Sequence, residues 1–258
     1  MIPDNLVINA DDFGLDARVS MAIALCLDEG LINSFSVYPF SDPFHEGLLR
    51  AVLRRHPSVK VGAHLAVTGP GLREHPGHFR DVLSRYVTGK FPLAHLRPTW
   101  KEQVEALRRR LGRAPDHLDS HQHLHVLPGL WGIALSLQRE FDVPRLRVPY
   151  EGLRRGLGYR IPFGAGLQAL ARMRAGHRPP AFLGFFTSTS FTLEGNRVGL
   201  ERVLAQPQRR FELMVHPAVP EMPEGAPPGA RLSPGQAREP EELRKLAGFF
   251  RARLSQPA

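Results

Sequence analysis

The sequence predicts an α/β fold in which parallel strands alternate with helices and form an irregular (β/α) barrel similar to a TIM barrel. Two observations support this prediction. Short apolar runs typical of buried parallel strands alternate with longer amphipathic runs along the chain. About seven such strands are expected, which favours a barrel, closed or incomplete, over an open sheet. No linker-like segment divides the chain, so we expect residues 1–258 to form a single domain.

The first half of the chain follows this alternation closely. Asp16 stands where the N-cap of the first helix is expected, directly after a strand and a polar turn. Thr99 and Glu102 have the spacing of a capping box, which predicts that a helix begins there after a Gly- and Pro-rich region with local helix. The predicted strands are 6–10, 34–38 and 59–65, the predicted helices are 16–29, 43–55 and 99–111, and the Gly- and Pro-rich region is 66–98.

The second half continues the same pattern. Residues 118–126 are interpreted as one strand, and residues 217–239, rich in Pro and Gly, are predicted to form a loop. Pro240 followed by two glutamates predicts the start of the C-terminal helix. The remaining predicted strands are 145–148, 181–186 and 211–215, and the remaining predicted helices are 128–140, 161–175 and 197–205.

Composition and charge restrict the class of protein. The formal net charge is +9, but the arginines are scattered along the chain rather than gathered in one stripe, which disfavours nucleic-acid binding. No apolar run reaches the roughly 20 residues that cross a bilayer, and the N-terminus lacks the pattern of a secretory signal. We therefore expect a cytoplasmic protein that binds neither nucleic acid nor membrane, with its single cysteine, Cys26, packed in the core.

Carboxylates and imidazoles stand at the C-terminal ends of predicted strands. Asp11 and Asp12 follow the first strand, His64 lies at the end of the third, and His216 follows the last. In a parallel barrel these ends converge on one face, where active sites form. Adjacent buried carboxylates are costly unless a cation relieves their repulsion, and extended neighbours point in opposite directions, so one can bind a metal while the other contacts a water. The simpler alternative is a turn in which Asp12 or Asp16 caps the next helix.

The histidine-rich run after residue 116 is the most informative local feature. In a regular strand, alternation would place one face of side chains together, namely His117, Asp119, His121, His123 and His125. Neutral imidazole is a preferred zinc ligand, so this face indicates a metal site. Alternate residues of a strand lie about 7 Å apart, so one of these histidines is expected to bind the metal. The others, with Asp119, are expected to support the ligands or contact substrate.

Two further residues have the chemistry that a hydrolase needs. His216 precedes Pro217, which favours an extended conformation. Histidine is the residue type that titrates near neutrality without a large shift, so it suits a general acid. Arg147 ends a short predicted strand and could keep Asp11 ionised or contact a substrate oxygen. Each has a simpler interpretation, because His216 could be a surface histidine at a turn and Arg147 one of many surface arginines.

Four motifs together resemble the YdjC family, which includes chitooligosaccharide deacetylases. They are Asn9-Ala10-Asp11-Asp12-Phe13-Gly14, Gly62-Ala63-His64-Leu65, Asp119-Ser120-His121-Gln122-His123-Leu124-His125 and His216-Pro217-Ala218, and they occur in this order. The resemblance implies an irregular barrel related to polysaccharide deacetylases. It also implies hydrolysis of the N-acetyl group of a sugar such as a chitooligosaccharide.

The same resemblance implies roles for individual residues. It implies that Asp12, His64 and His121 hold one divalent metal ion, that Asp11 is the catalytic base and that His216 is the acid. Two imidazoles and one carboxylate suit zinc best, while cobalt and manganese fit the same ligands. Magnesium is a further candidate, although it prefers oxygen ligands.

Two other interpretations stay open. The same metal site could hydrolyse another amide or a phosphoester, although phosphoester hydrolysis would favour a second metal and more basic residues at the strand ends. The chain could also be a basic nucleic-acid-binding protein without enzymatic activity, which a steep salt dependence of binding would reveal. Barrel proteins of this size often form dimers, so a homodimer is a further expectation.

Overall fold

The computed structural model describes residues 2–67, 79–91, 93–151, 162–174, 180–188, 190–227 and 232–255. Within these residues six strands form one sheet. Their bounds are β1 (Leu6–Phe13), β2 (Ser34–Val37), β3 (Lys60–Leu65), β4 (His117–Ser120), β5 (Ala181–Leu183) and β6 (Phe211–Val215). The strand order is β4-β3-β2-β1-β6-β5, and every neighbouring pair is parallel. All carboxyl ends of the strands therefore lie at the same edge of the sheet.

Helices separate the strands along the chain. The described helices are α1 (Ala17–Asp28), α2 (Pro43–Arg55), α3 (Phe79–Val87), α4 (Leu93–Leu111), α5 (Leu130–Glu140), α6 (Pro162–Arg174), α7 (Leu193–Ala205) and α8 (Glu239–Leu254), with short 3₁₀ segments at His121–Val126 and Gln236–Arg238. Asp16, Asp42 and Thr192 cap three of these helices by accepting a backbone N–H of the first turn. Every helix of the described residues is too short or too polar to cross a bilayer.

The strands contribute to a continuous apolar core. Ile8, Phe35 and Leu213, on three neighbouring strands, are at most 1% exposed, and Trp100 of α4 and Cys26 of α1 are buried in the same cluster. Burial of apolar surface contributes about 25 cal/mol per Å² to the stability of a fold. The burial of this cluster is therefore the main contribution that holds the helices on the sheet. The sheet is curled into a partial barrel, which confirms the predicted α/β, barrel-like fold.

The predicted strand at 118–126 is wrong beyond its third residue. Strand β4 ends at Ser120, and the chain continues as a 3₁₀ segment in which Gln122 and His123 have φ angles of 59° and 56°. This left-handed conformation breaks the alternation of side chains, so the histidines of the run do not share one face. The periodicity of the sequence gave no sign of the turn, because neither residue is glycine.

Two other predictions need correction. Helix α4 begins at Leu93 rather than at the predicted capping box, and the Thr99 hydroxyl donates to a backbone carbonyl one turn earlier. A hydroxyl used in this way inside a helix does not cap it. The strand predicted at 145–148 is reduced to a single bridge between Leu118 and Leu146. Helix α2 and strand β6 have the predicted bounds, and the other predicted strands and helices are present with shifted ends.

Two arginines connect β4 with β6 across the concave side of the sheet. Arg145 and Arg147 lie beside β4, because the N–H of Leu118 donates to the Arg145 carbonyl and the N–H of Arg147 donates to the Leu118 carbonyl. Both guanidinium groups bind Glu212 of β6, with Arg147 Nε 2.7 Å from Glu212 Oε1. Three strands separate β4 from β6 in the sheet, so these ion pairs require the sheet to curl.

Gly62 of β3 provides a test of the packing between β3 and β4. A β-carbon at this position would overlap the buried His117 imidazole. We expect Gly62→Ala to lower the free energy of unfolding, measured in urea, by about 1–3 kcal/mol, because overpacking strains a core. Gly132→Ala is the control, since nothing lies within 4 Å of a β-carbon at that position in α5 and alanine favours helix. Equal stability of the two variants would contradict the packing described.

Glu212 is expected to make stability depend on pH in the acid range. Burial raises the pKa of Glu212, but Arg145 and Arg147 outweigh it and lower the pKa from 4.5 to about 2. Since the folded-state pKa lies below the unfolded-state value, the stabilisation is complete above about pH 4.5 and is lost as the pH falls through 2. The free energy of unfolding should therefore fall less steeply between about pH 6 and pH 3 in Glu212→Gln than in the wild type.

The control for this pH series is Glu201→Gln. Glu201 lies on α7, where it is exposed and pairs with Arg197, so the slope of its variant should match that of the wild type. A slope in Glu212→Gln as steep as that of the wild type would mean that the two arginines do not stabilise the Glu212 carboxylate.

Candidate active site

Strand β1 ends in an irregular turn that separates the two aspartates of its motif. Asp12 has a φ of 73°, in the left-handed region, and the pairing of β1 with β2 shifts register at this point. Gly14 follows with a φ of 100°, and a β-carbon there would lie 2.8 Å from the Tyr38 carbonyl oxygen, so the turn requires glycine. Asp16 caps α1, which leaves Asp12 available for other partners.

Asp12 meets two imidazoles from neighbouring strand ends. Its Oδ1 lies 2.8 Å from Nδ1 of His121 and 3.1 Å from Nε2 of His64. Asp12 and His64 are buried, whereas the His121 side chain is 20% exposed, so the cluster meets solvent on the His121 side. Burial raises the pKa of Asp12, but the two imidazoles outweigh it and hold the pKa well below its usual range. The structure thus brings together the three residues expected to bind the metal.

Asp119 orients the His64 ring. Oδ1 of Asp119 lies 2.8 Å from Nδ1 of His64, which leaves Nε2 directed at Asp12. Burial alone would lower the pKa of His64, but Asp119 and Asp12 outweigh it and raise the pKa to about 10. A carboxylate on the far nitrogen of a metal-binding histidine is a common support in metal sites, because it fixes the ring and its tautomer.

The donor atoms of this cluster fit a divalent metal ion. Within the described residues, two groups of side chains converge closely enough to bind one, namely Asp12 with His64 and His121, and Asp11 with His64 and Asp119. Ligand atoms of tetrahedral zinc, bound at about 2.0–2.2 Å, lie about 3.3 Å apart, close to the distances from Asp12 to the two imidazoles. The second group already binds an arginine, so the first is the better candidate.

Arg147 binds the other aspartate of the β1 motif. Its Nη1 and Nη2 lie 2.6 and 2.8 Å from Oδ2 and Oδ1 of Asp11, and Asn9 Nδ2 donates to the same Oδ1 at 2.7 Å. These three hydrogen bonds hold Asp11 in one orientation. Arg147 is 0% exposed, so it is not a surface arginine, and its guanidinium has no exposed edge for a substrate oxygen.

The same guanidinium also supports Asp119. Nη1 of Arg147 lies 2.8 Å from Oδ2 of Asp119, and the Ser36 hydroxyl donates to this oxygen at 2.6 Å. Burial raises the pKa of Asp119, but Arg147 and His64 hold it well below its usual range. Burial also opposes the charge of Arg147, yet its carboxylate partners hold its pKa well above the usual value. The Arg147 guanidinium therefore binds both Asp11 and Asp119, the carboxylate that orients His64.

His216 follows β6 and is only 7% exposed, so it is not a surface histidine. Its backbone N–H donates to Glu239 Oε2 at 2.5 Å, and its Nδ1 is buried without a hydrogen-bond partner among the described residues. Burial lowers the pKa of His216, while Asp11 and Asp12 oppose this shift. The charges of the two aspartates thus act on the His216 imidazole, which can take up and release a proton close to them.

The last two histidines of the third motif lie outside the group formed by Asp12, His64 and His121. Nε2 of His125 lies 2.8 Å from the Arg147 carbonyl and Nδ1 lies 2.6 Å from Ser120 Oγ. Burial lowers the pKa of His125 to about 4, so its neutral ring can donate to that carbonyl and hold the Arg147 backbone. His123 instead stacks on the Phe185 ring, with the centroids 5.4 Å apart.

No role was predicted from the sequence for three buried polar residues of the site. Asn9 and Ser36 lie on β1 and β2, and Glu239 begins α8. A serine within an apolar strand was an available signal for Ser36, because a buried hydroxyl needs a partner. Glu239 had no local signal, since its partners Phe191 and His216 lie 48 and 23 residues away in the sequence.

The chain is similar to several curated proteins. A carbohydrate deacetylase from Brevibacillus brevis is 31% identical over 153 residues, which cover 56% of this chain and 59% of that protein. A carbohydrate deacetylase from Homo sapiens is 28% identical over 255 residues, which cover 84% of this chain and 76% of that protein. The matched region thus spans less than two thirds of the Brevibacillus protein.

A solved structure and a family model complete these comparisons. A protein from Enterococcus faecalis V583, described as a candidate cellobiose-phosphate cleavage protein, superposes with a TM-score of 0.65 at 22% identity. The match covers 96% of this chain and 94% of that one, and at this identity it supports the fold alone. The family model described as "YdjC-like protein" matches residues 5–248, which include every residue of the candidate site. The chain therefore belongs to the YdjC-like family.

Proposed function

We propose that the protein is a metal-dependent deacetylase that hydrolyses the N-acetyl group of a sugar such as a chitooligosaccharide. The observation that carries the proposal is the convergence of Asp12, His64 and His121 within 4.8 Å. This cluster lies beside Asp11, whose carboxylate is bound by Arg147 at both oxygens. The curated relatives named carbohydrate deacetylase support the substrate class. In this proposal the whole chain acts as one catalytic domain.

Asp12, His64 and His121 would hold one divalent ion. When bound, such an ion supplies Lewis acidity, because it polarises the acetyl carbonyl and lowers the pKa of water. The donor set fits zinc best, and cobalt and manganese are alternatives. Magnesium is a further candidate, although it prefers oxygen ligands. The hydrogen bond of His64 Nδ1 with Asp119 favours the tautomer in which Nε2 is free to bind the ion.

Asp11 would act as the general base. Three hydrogen bonds from Arg147 and Asn9 hold its carboxylate. Among the described residues Oδ2 is bound by a single donor, so it retains a lone pair that can accept a proton from the attacking water. Arg147 also supplies the positive charge that a buried carboxylate needs. Its further contact with Glu212 restrains the guanidinium, so the orientation of Asp11 is preorganised before substrate binds.

His216 would act as the general acid towards the leaving sugar amine. Its lowered pKa makes the protonated ring a stronger proton donor, which favours transfer to the amine nitrogen. The charges of Asp11 and Asp12 oppose the effect of burial and help the ring to hold a proton until the amide bond breaks. Burial of the imidazole also keeps this proton from exchanging freely with solvent.

Acetate release tests this function directly. The substrates are N-acetylglucosamine, diacetylchitobiose and longer oligomers, and the protein is stripped of metal and refilled with zinc, cobalt, manganese or magnesium. We expect release only with metal, and a loss of about a hundredfold or more in kcat for Asp11→Asn, because an amide cannot accept the proton of water. We expect His64→Ala to lose metal and activity together, because it removes a ligand.

His56→Ala is the control for the histidine variant. His56 pairs with Asp28 at the protein surface, so its loss should leave metal content and acetate release unchanged. Tight metal binding without acetate release from any of these sugars would contradict the sugar substrate. The same preparations would then be assayed with other amides and with phosphoesters, which distinguishes the remaining metal-dependent hydrolases.

Asp119→Asn tests the support of the metal ligands without an activity assay. This variant removes the negative charge that Asp119 places beside Nδ1 of His64. We expect it to weaken zinc binding by about ten- to a hundredfold, measured by competition with a chromophoric chelator. Asp116→Asn is the control. Asp116 lies just before β4 and accepts the backbone N–H of Val61 at 2.8 Å, but it is not part of the groups of described side chains that could bind a metal. Equal zinc affinity in both variants would contradict the role of Asp119.

A further inference from the structure

Glu239 is a buried carboxylate that the proposed reaction does not use. It is the first residue of α8 and is 0% exposed. Its Oε2 accepts the backbone N–H of His216 at 2.5 Å, and its Oε1 accepts the backbone N–H of Phe191 at 3.1 Å. Within the described part of the chain, no lysine or arginine pairs with it. Each of its oxygens therefore binds the backbone of one loop, at His216 and at Phe191.

The burial of this carboxylate is costly. Burial and the nearby charge of Asp11 raise the pKa of Glu239 to about 8, although the two backbone N–H groups act in the opposite direction. Its place in the first turn of α8 compensates part of the cost, because the helix N-terminus favours negative charge. The two hydrogen bonds compensate another part, and they are the contacts through which Glu239 acts on its surroundings.

One of these two bonds acts on the candidate acid itself. The chain after His216 is held by further backbone bonds, from Ala218 to the Gln236 carbonyl at 3.0 Å and from Val219 to the Arg18 carbonyl at 3.1 Å. The His216 ring, in contrast, has an Nδ1 without a partner among the described residues. The position of the imidazole thus depends on its backbone and on the packing around it.

We propose that Glu239 is a positioning residue for His216, because its carboxyl group fixes the backbone from which the imidazole reaches the scissile amide. This inference rests on the proposed function, in which His216 protonates the leaving amine. Proton transfer requires donor and acceptor at hydrogen-bond distance, and a misplacement of about 1 Å can cost about a hundredfold in rate. A loosened His216 would therefore lower kcat and leave substrate binding intact.

Glu239→Gln isolates this anchor with little change of shape. Glutamine has one oxygen and one NH₂ group, so it cannot accept both backbone N–H groups. In either orientation its NH₂ group faces a backbone donor, and this repulsion displaces the side chain from the position in which it anchors His216. Glu242→Gln is the matched control. Glu242 lies on the same helix, and its Oε2 accepts the backbone N–H of Leu193 at 2.8 Å, which links α8 to α7 without a contact to His216.

The experiment uses the zinc-refilled full chain and the sugar that is hydrolysed fastest. We expect Glu239→Gln to lower kcat by about ten- to a hundredfold with KM within about twofold of the wild type, and Glu242→Gln to change neither by more than about twofold. In a His216→Ala background, Glu239→Gln should cause no further loss of kcat, because a residue that acts through His216 has nothing left to position.

Two outcomes of these kinetics would overturn the proposal. The first is a kcat of Glu239→Gln as high as that of Glu242→Gln. The second is a further loss when Glu239→Gln is added to His216→Ala, because an independent structural role would multiply with the loss of the acid.

A second measurement does not depend on sugar hydrolysis. Nitrogen-15 NMR of the histidine rings follows His216 in the zinc-refilled protein, with His216→Ala used to assign its signal. We expect Glu239→Gln to move the His216 signal and Glu242→Gln to leave it in place. If no sugar is hydrolysed, the proposed deacetylase fails, whereas the role of Glu239 is still decided by this comparison. A His216 signal that does not move in Glu239→Gln would overturn the positioning role.

Discussion

Both the fold and the candidate site depend on the ion pairs that the buried guanidinium of Arg147 makes with three carboxylates. The guanidinium binds Asp11 of β1, Asp119 of β4 and Glu212 of β6 at distances of 2.6–2.8 Å. Removing one partner of a buried ion pair leaves an uncompensated charge and costs about 3–5 kcal/mol, so the cation and its three carboxylates stabilise one another only when all are in place. Three strands of the curled sheet are thereby held around a single charge.

This network reaches the candidate metal site because Asp119 has two oxygens with different partners. Oδ2 lies against Arg147 and accepts from Ser36, while Oδ1 lies 2.8 Å from the His64 ring. The left-handed turn at Asp12 completes the arrangement, since it directs that carboxylate at the imidazoles while Asp11 faces the arginine. The charge that holds the strands together therefore also determines the orientation of a candidate ligand and of the candidate base.

Much of the fold was predictable because its signals are local. Apolar runs of strand length and amphipathic runs of helix length depend on neighbours within a few residues, and Asp16 caps α1 as its position predicted. At the end of β4, a longer-range contact overrode the local pattern. His125 is bound by Ser120 and by the carbonyl of Arg147, 22 residues away, in a turn that ends β4 where alternation predicted a longer strand.

The sequence by itself determined that carboxylates and imidazoles stand at the ends of parallel strands, because strand ends are local features and parallel strands share one edge. It therefore indicated that Asp12, His64 and one histidine of the run 117–125 lie close together. The resemblance to the family identified that histidine as His121, and the distances agree. Tertiary structure alone decided the pairing of Arg147 with Glu212 and the anchoring of His216 by Glu239, which join residues 65 and 23 positions apart. No periodicity encodes such pairs, since they depend on how the sheet curls and on where α8 begins relative to His216.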